Sequence, residues 1–275
     1  MLAGPSSTRI TFIDQDSWGM TLPVYVLNLD RDTDRLAAMS RQIARHDFLA
    51  GIRVPAFAGR QLPDHACHIL TGNPWSHHYK GTLGCFISHM MAWQKIAAHK
   101  QAFALVAEDS AVFSHIDLLR HIAIPADAEL VFCNRRTAYP DDEPAKPETA
   151  LYQMRFRPVD PVPAFIETHG RAVGTEGYVL TPAGAAKLLR FVAADRLFSH
   201  VDLRLLAYCL EPNDPPIPAS FQGAGRTVLQ FRREFRHQHH VRAYSMWPPV
   251  TDRPFDLSST RAHEDQAGMC EPAYA

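Results

Sequence analysis

The 275-residue chain has few cysteines, and none of the five, Cys67, Cys85, Cys133, Cys209 and Cys270, stands in a CxxC pair. That scatter argues against a cysteine-paired zinc module and a disulfide scaffold, and fits a reducing compartment. Charge of one sign is missing too. The 28 Lys and Arg against 29 Asp and Glu give a formal net charge of -1, without the basic excess of a nucleic-acid binder. No apolar run approaches the roughly 20 residues that span a bilayer as a helix. Residues 1–20 carry Arg9, Asp14 and Asp16 where a signal peptide would be apolar. The expectation is a cytoplasmic protein, at most peripheral to the inner face of a membrane. Phosphate-cradling glycine loops are also lacking: neither GxxxxGK[ST] nor GxGxxG follows the first strand-like segment, which reads on into NLDRDTDR. This disfavours a P-loop kinase and a Rossmann dehydrogenase.

With 46% hydrophobic residues the chain can bury a full core. One large domain is expected over residues 22–245, after a lead-in at 1–21 and before a tail at 246–275. Residues 23–29, PVYVLNL, are β-branched and aromatic, and predict a strand. Leu36, Met39, Ile43 and Phe48 recur at mostly helical spacing, so a helix with acids in its first turn is expected to begin near Asp32 to Asp34. A second strand is expected at 52–57, followed by a long loop through Trp75, His77 and His78. Leu83, Phe86, Ile87, Met90, Met91, Trp93 and Ile96 predict a helix from Thr82 to about Lys100 with a broad apolar face. Further expectations are a helix at 116–122, a strand at 129–133, a Pro-rich loop at 139–147 flanking the cleft, and a strand at 174–180. Thr181 and Pro182 supply an N-cap and first helical position before 185–192. A helix at 201–210 and a short strand at 227–231 complete the pattern. Strands alternating with helices predict an α/β fold, a central mixed, mostly parallel sheet flanked by helices.

The segment 103–110, FALVAEDS, is an apolar run that stops on Glu108 and Asp109. Runs of this length read as buried strands, and ligands of open α/β sheets bind beyond the carboxyl ends of such strands. Asp109 there could hold a divalent cation, although an acidic pair can equally begin a solvated loop. Asn28, Asp30, Arg31 and Arg35 form a polar set at the end of the first strand, suited to a base, a ribose and phosphate oxygens, or simply to a capped helix start.

In chain order, VYVLNLDRDTDRL at 24–36, AFAGRQL at 56–62, GTLGCFISHMMAWQKI at 81–96, ALVAEDS at 104–110, GTEGYVLTPAGAAKLL at 174–189 and HVDLRL at 200–205 resemble the family 25 glycosyltransferases. That group includes lipooligosaccharide and collagen galactosyltransferases. The resemblance implies a GT-A fold and transfer of a hexose, most often galactose, from a UDP-sugar to a saccharide or glycolipid hydroxyl, with inversion and with Mn²⁺ or Mg²⁺. It implies a role in lipopolysaccharide biosynthesis as one context. It places Asn28, Asp30, Arg31, Arg35, Ser88, His89 and Glu108 at the donor nucleotide and Asp109 at the metal. His237 and His239, within a basic run from Arg232 to Arg242, are candidate late metal ligands. Asp202 and Glu176 are rival general bases, and Asp202 could instead cap its helix. Cys85 reads as a small buried hydrophobe. The family's acidic motif usually reads Glu, Asp, Asp; here its third position is Ser110. A hydroxyl brings neither charge nor a second oxygen to a cation. Reduced metal dependence, or a catalytically weak sugar-nucleotide-binding or partner-binding protein on the same fold, is the alternative expectation.

Overall fold

The computed structural model describes residues 21–73, 79–121, 124–134, 155–158, 174–197, 200–210 and 239–253. In chain order the regular elements are β1 (Leu22–Asn28), α1 (Thr33–Ile43), β2 (Leu49–Pro55), α2 (Asp64–Thr71), α3 (Lys80–Ala97), β3 (Ala104–Glu108), β4 (Val112–Phe113), β5 (Leu130–Phe132), β6 (Arg155–Pro158), β7 (Gly177–Leu180), α4 (Pro182–Asp195), α5 (Val201–Cys209), β8 (Ala243–Trp247) and β9 (Thr251–Asp252). Seven strands form one sheet in the order β2-β1-β3-β7-β5-β8-β6, and β4 pairs with β9 in a small second sheet. The large sheet is mixed: β2, β1, β3, β5 and β8 run one way, and β7 and β6 run against them. The expected α/β class is the one observed.

The strand alternation of side chains sorts the core. On β1, Val24 and Val26 face one apolar layer while Tyr25 and Leu27 face the other, and on β3 Leu105 and Ala107 oppose Ala104 and Val106 in the same way. Both strands are therefore covered on both faces, which is why they read as unbroken apolar runs rather than alternating ones. One layer is closed by α3, α4 and α5, with Trp93, Phe86, Tyr208 and Leu188 buried in it. The other holds Met39 and Ile43 of α1, Ile116 and Leu119.

Some expectations change in detail. The stretch after Gly59, expected as a loop, contains α2, which Gly72 ends in a left-handed conformation at φ 71°. Residues 116–121 form a 3-10 helix, not an α-helix. Thr181 accepts from the Gly184 N–H at 2.9 Å with Pro182 at the helix start, so the predicted cap and start are present, and α4 runs on past Val192 to Asp195. The trailing segment expected from residue 246 is partly sheet: β8 ends at Trp247 and β9 pairs antiparallel with β4. The reason is register, since β8 runs parallel to β5 and carries the chain to the end of the sheet where β3 finishes. The strand expected at 227–231, the 139–147 loop, and Trp75, His77 and His78 lie outside the described residues.

One close approach locks α3 against the loop that follows β2. A Cβ on Gly84 of α3 would stand 2.6 Å from the Gly59 nitrogen and 2.7 Å from the Phe57 carbonyl oxygen, all backbone atoms. Ser88 Oγ, one turn on, donates to the Gly84 carbonyl at 2.7 Å and accepts from the Phe57 N–H at 2.9 Å. Helix and loop can meet this tightly only without a side chain at 84. Gly84→Ala is expected to lower unfolding stability by about 1–3 kcal/mol, the usual range for overpacking, as measured by urea denaturation. A change within 0.5 kcal/mol of zero, about the scatter of neutral surface substitutions, would sink this account.

Candidate active site

Beyond the carboxyl ends of β1 and β3 lies an open cleft whose wall includes Asp32, Arg35, Phe57, Cys85, Ser88, His89, Glu108, Asp109, Ser110, Thr175, Glu176, Asp202 and Arg253. Segments far apart in the chain deliver these groups to one place, three of them from the sheet. β1 turns into α1 and brings Asp32 and Arg35; β3 ends on Glu108 and Asp109; and β7, antiparallel to β3, starts there and brings Thr175 and Glu176.

Asp109 is held from β1. Asn28 Nδ2 donates to Asp109 Oδ2 at 2.8 Å and to the Asp32 carbonyl at 2.9 Å. The Asn28 amide is itself oriented by Arg53, whose Nε donates to Asn28 Oδ1 at 3.1 Å. Arg35 Nη1 stands 3.7 Å from Asp109 Oδ1. Burial pushes the Asp109 carboxyl above the usual aspartate range; the Asn28 hydrogen bond and Arg35 pull it back only in part, and Asp32 and Glu108 add to the rise. Asp32 occupies the N-cap position of α1 yet makes no side-chain cap bond. Its Oδ2 is buried without a hydrogen-bond partner, and the residue lines the cleft.

Glu108 is held from the other side. Thr175 Oγ1 donates to its Oε1 at 2.7 Å, and His89 Nε2 lies 3.7 Å from the same oxygen. Burial works to raise its pKa, but His89, with Thr175 and Arg253 behind it, outweighs this and holds the carboxyl down to about 2. His89 is fully buried; its Nδ1 lies 2.8 Å from Tyr178 Oη, which also accepts from Trp93 Nε1 at 2.8 Å. The result is a polar chain through an apolar layer, from Trp93 to Tyr178 to His89 to Glu108.

The structure thus gathers Arg35, Ser88, His89, Glu108, Asp109, Glu176 and Asp202, all anticipated from sequence, around one cleft. Asn28 acts behind it through Asp109. Asp30 turns away, with its carboxylate 2.5 Å from Arg53 Nη2 and well exposed, and Arg31 sits 3.9 Å from Asp32; neither lines the cleft. His237 lies outside the described residues. His239 is exposed and precedes β8, whose direction matches β3, so it sits toward the end of the sheet opposite the cleft. In that position it does not meet Asp109 as a ligand. Glu176 is 2% exposed, packed so closely over Gly174 that a Cβ there would fall 1.9 Å from its Oε2. Asp202 is half-buried in the first turn of α5, where Oδ1 accepts from the Leu203 N–H at 2.8 Å.

Sequence reasoning missed Asp32, Thr175 and Arg253; Cys85 packs on the core as expected but is only half-buried and also lines the cleft. Asp32 left a signal, being one of three acids in DRDTDR where one would cap the helix. Arg253 left none, because only the β8 register carries it there.

An α/β sheet with carboxylates and arginines gathered at its strand ends is consistent with a glycosyltransferase fold. The comparisons agree: the sequence model of "Glycosyltransferase family 25 (LPS biosynthesis protein)" matches residues 21–203. The chain belongs to glycosyltransferase family 25. It is 27% identical over 209 residues to a "Glycosyltransferase 25 family member" of Anopheles gambiae, covering 70% of this chain and 32% of that protein. It is also 27% identical over 207 residues to the "Inactive glycosyltransferase 25 family member 3" of Mus musculus, again 70% of this chain and 32% of the relative. The chain thus spans about a third of the length of these relatives. Among the described residues no helix is long and apolar enough to cross a membrane.

Proposed function

We propose that the cleft binds a UDP-hexose, UDP-galactose first among them, and transfers the sugar with inversion to a hydroxyl of a saccharide or glycolipid acceptor on a GT-A framework. The observation that supports this best is the meeting of Asp32, Asp109, Glu108 and Asp202 with Arg35 and Arg253 in one cleft at the strand ends.

A divalent cation such as Mn²⁺ or Mg²⁺ fits this donor set. Ser110 lines the cleft as a hydroxyl, but Asp32 brings a second carboxylate whose Oδ2 is buried and unpartnered, an arrangement that a hard cation would satisfy. Asp109 and Asp32 would hold the ion, which when bound supplies positive charge to the diphosphate. Arg35 and Arg253 add guanidinium donors for phosphate oxygens. Glu108, kept ionised by His89 and Thr175, accepts hydrogen bonds from the donor's hydroxyls. Asp202, the more exposed of the two rival bases, takes the proton of the attacking acceptor hydroxyl; buried Glu176 shapes the wall behind it. In-line attack then breaks the bond between the anomeric carbon and the diphosphate, and UDP leaves.

Calorimetry across UDP-, GDP- and CMP-sugars with Mn²⁺ tests the donor, and UDP release with an acceptor panel tests transfer. Binding confined to a GDP- or CMP-sugar overturns the donor assignment, and binding of UDP-sugar without turnover toward any acceptor overturns the transferase reading. Arg253→Ala is expected to weaken UDP-sugar binding by roughly 10- to 100-fold, the loss of a hydrogen bond to a charged group. Unchanged affinity would remove Arg253 from the diphosphate site.

A further inference from the structure

The wall of the cleft contains a second cluster whose chemistry differs from that of the aspartates. Cys85 and His89 lie four residues apart on α3, one turn along the same face, and Glu108 faces them from the end of β3. One ligand atom from each, a thiol sulfur, an imidazole nitrogen and a carboxylate oxygen, lies within 4.8 Å of the other two. His89 is fully buried, and its Nε2 makes no hydrogen bond while standing 3.7 Å from Glu108 Oε1. Its other nitrogen is fixed against Tyr178 Oη at 2.8 Å.

We propose that Cys85, His89 and Glu108 form a binding site for a thiophilic divalent cation, Zn²⁺ in the first instance, distinct from the hard-cation site at Asp109 and Asp32. Ligand atoms around tetrahedral zinc stand about 3.3–3.8 Å apart, given bonds of about 2.0–2.3 Å, so only a small side-chain adjustment closes the observed triangle. Sulfur and imidazole select zinc or cobalt over magnesium or manganese, which prefer oxygen. When the metal binds, Tyr178 can accept from His89 Nδ1–H and leave Nε2 to the metal in place of Glu108, the second-shell arrangement usual for ligating histidines. All three residues line the cleft, so the fourth position opens to solvent and to a ligand. On binding, the Cys85 thiol gives up its proton to solvent and the sulfur bonds the metal as thiolate.

The Cys85, His89 and Glu108 site is independent of the identity of the donor sugar and can be tested without turnover. Co²⁺ added to the full chain is expected to bind and produce a near-ultraviolet thiolate-to-cobalt charge-transfer band, which Zn²⁺ abolishes by displacement and Mg²⁺ does not. Cys85→Ser, with its fold checked by circular dichroism, should lose the band; Cys67→Ser, buried elsewhere, and Asp109→Asn should keep it. In the unaltered protein Zn²⁺ should slow alkylation of Cys85, followed by peptide mass spectrometry, by roughly tenfold or more, because a metal-bound thiolate is withdrawn as a nucleophile. Absence of the band, its survival in Cys85→Ser, its loss in Cys67→Ser or Asp109→Asn, or an alkylation rate indifferent to Zn²⁺ would each overturn the site. Because UDP-sugar binding is read separately, failure here leaves the donor reading standing, and failure of donor binding leaves this site standing.

Discussion

Asp109→Asn is expected to raise the thermal midpoint of the ligand-free protein at neutral pH while lowering sugar transfer by roughly 10²–10³-fold, the loss typical of removing a group that stabilises transition-state charge. The stability gain follows from the direction in which burial moves the Asp109 carboxyl. Its folded-state pKa is raised, so between the unfolded and folded values the folded protein holds more protons than the unfolded one. Stability attributable to this group is full below the ordinary aspartate range and is lost as pH rises through the raised folded value. At neutral pH the charged form is therefore a burden that asparagine removes, while the amide oxygen can still accept from Asn28. The advantage of the variant should shrink on acidification and vanish below the ordinary aspartate pKa. With Mn²⁺ and UDP-sugar present the proposed cation site predicts the reverse order, since an amide in place of the carboxylate would hold the ion poorly. Scanning calorimetry at several pH values, with and without ligands, checks both halves. A variant less stable than the parent at neutral pH in the absence of ligands would show that Arg35 and Asn28 outweigh desolvation after all.

Tyr178→Phe is the second large effect, and it falls on stability first. The phenol oxygen is the partner of two buried groups, Trp93 Nε1 and His89 Nδ1, each 2.8 Å away. Phenylalanine keeps the ring but leaves both without a partner in a layer of apolar side chains. Each orphaned buried polar group costs about 1–3 kcal/mol, so a loss of roughly 2–6 kcal/mol is expected in urea denaturation. With a chain of this length that corresponds to a fall of roughly 5–20 °C in thermal midpoint. The change also reaches the cleft. His89 stacks on Tyr178 with ring centroids 5.8 Å apart, and it is the group that keeps the Glu108 carboxyl at about 2. A loosened His89 lets burial push Glu108 upward, which should appear as a rising acid limb in the pH dependence of UDP-sugar binding. A destabilisation under 0.5 kcal/mol would mean that the polar chain from Trp93 to Glu108 contributes nothing to the fold.

The readable parts of this molecule were those governed by local chemistry. The apolar runs of β1 and β3, the Thr181 and Pro182 helix start and the abrupt end of FALVAEDS all depend on neighbours in sequence, and each lies where expected. α2 is not legible in the sequence because its eight residues are flanked by Pro63 and Gly72, both of which read as loop signals yet here bound a helix. His239 read as a metal-site candidate because it lies in a dense basic and imidazole run. A run in sequence carries no information about which end of a sheet it meets.

By itself, then, the sequence determined the α/β class, the strand that delivers Glu108 and Asp109, the family, and most of the polar groups around the cleft. Only the tertiary structure decided that Asp30 faces Arg53, that His239 stands at the far end of the sheet, and that Arg253 and Asp32 join the site. It also decided that Cys85 faces His89 and Glu108 rather than core alone. The division has one physical cause. Which residues surface at a strand end is written in adjacent side chains, whereas which distant segments share that end depends on strand direction and register, set by pairing across the whole sheet.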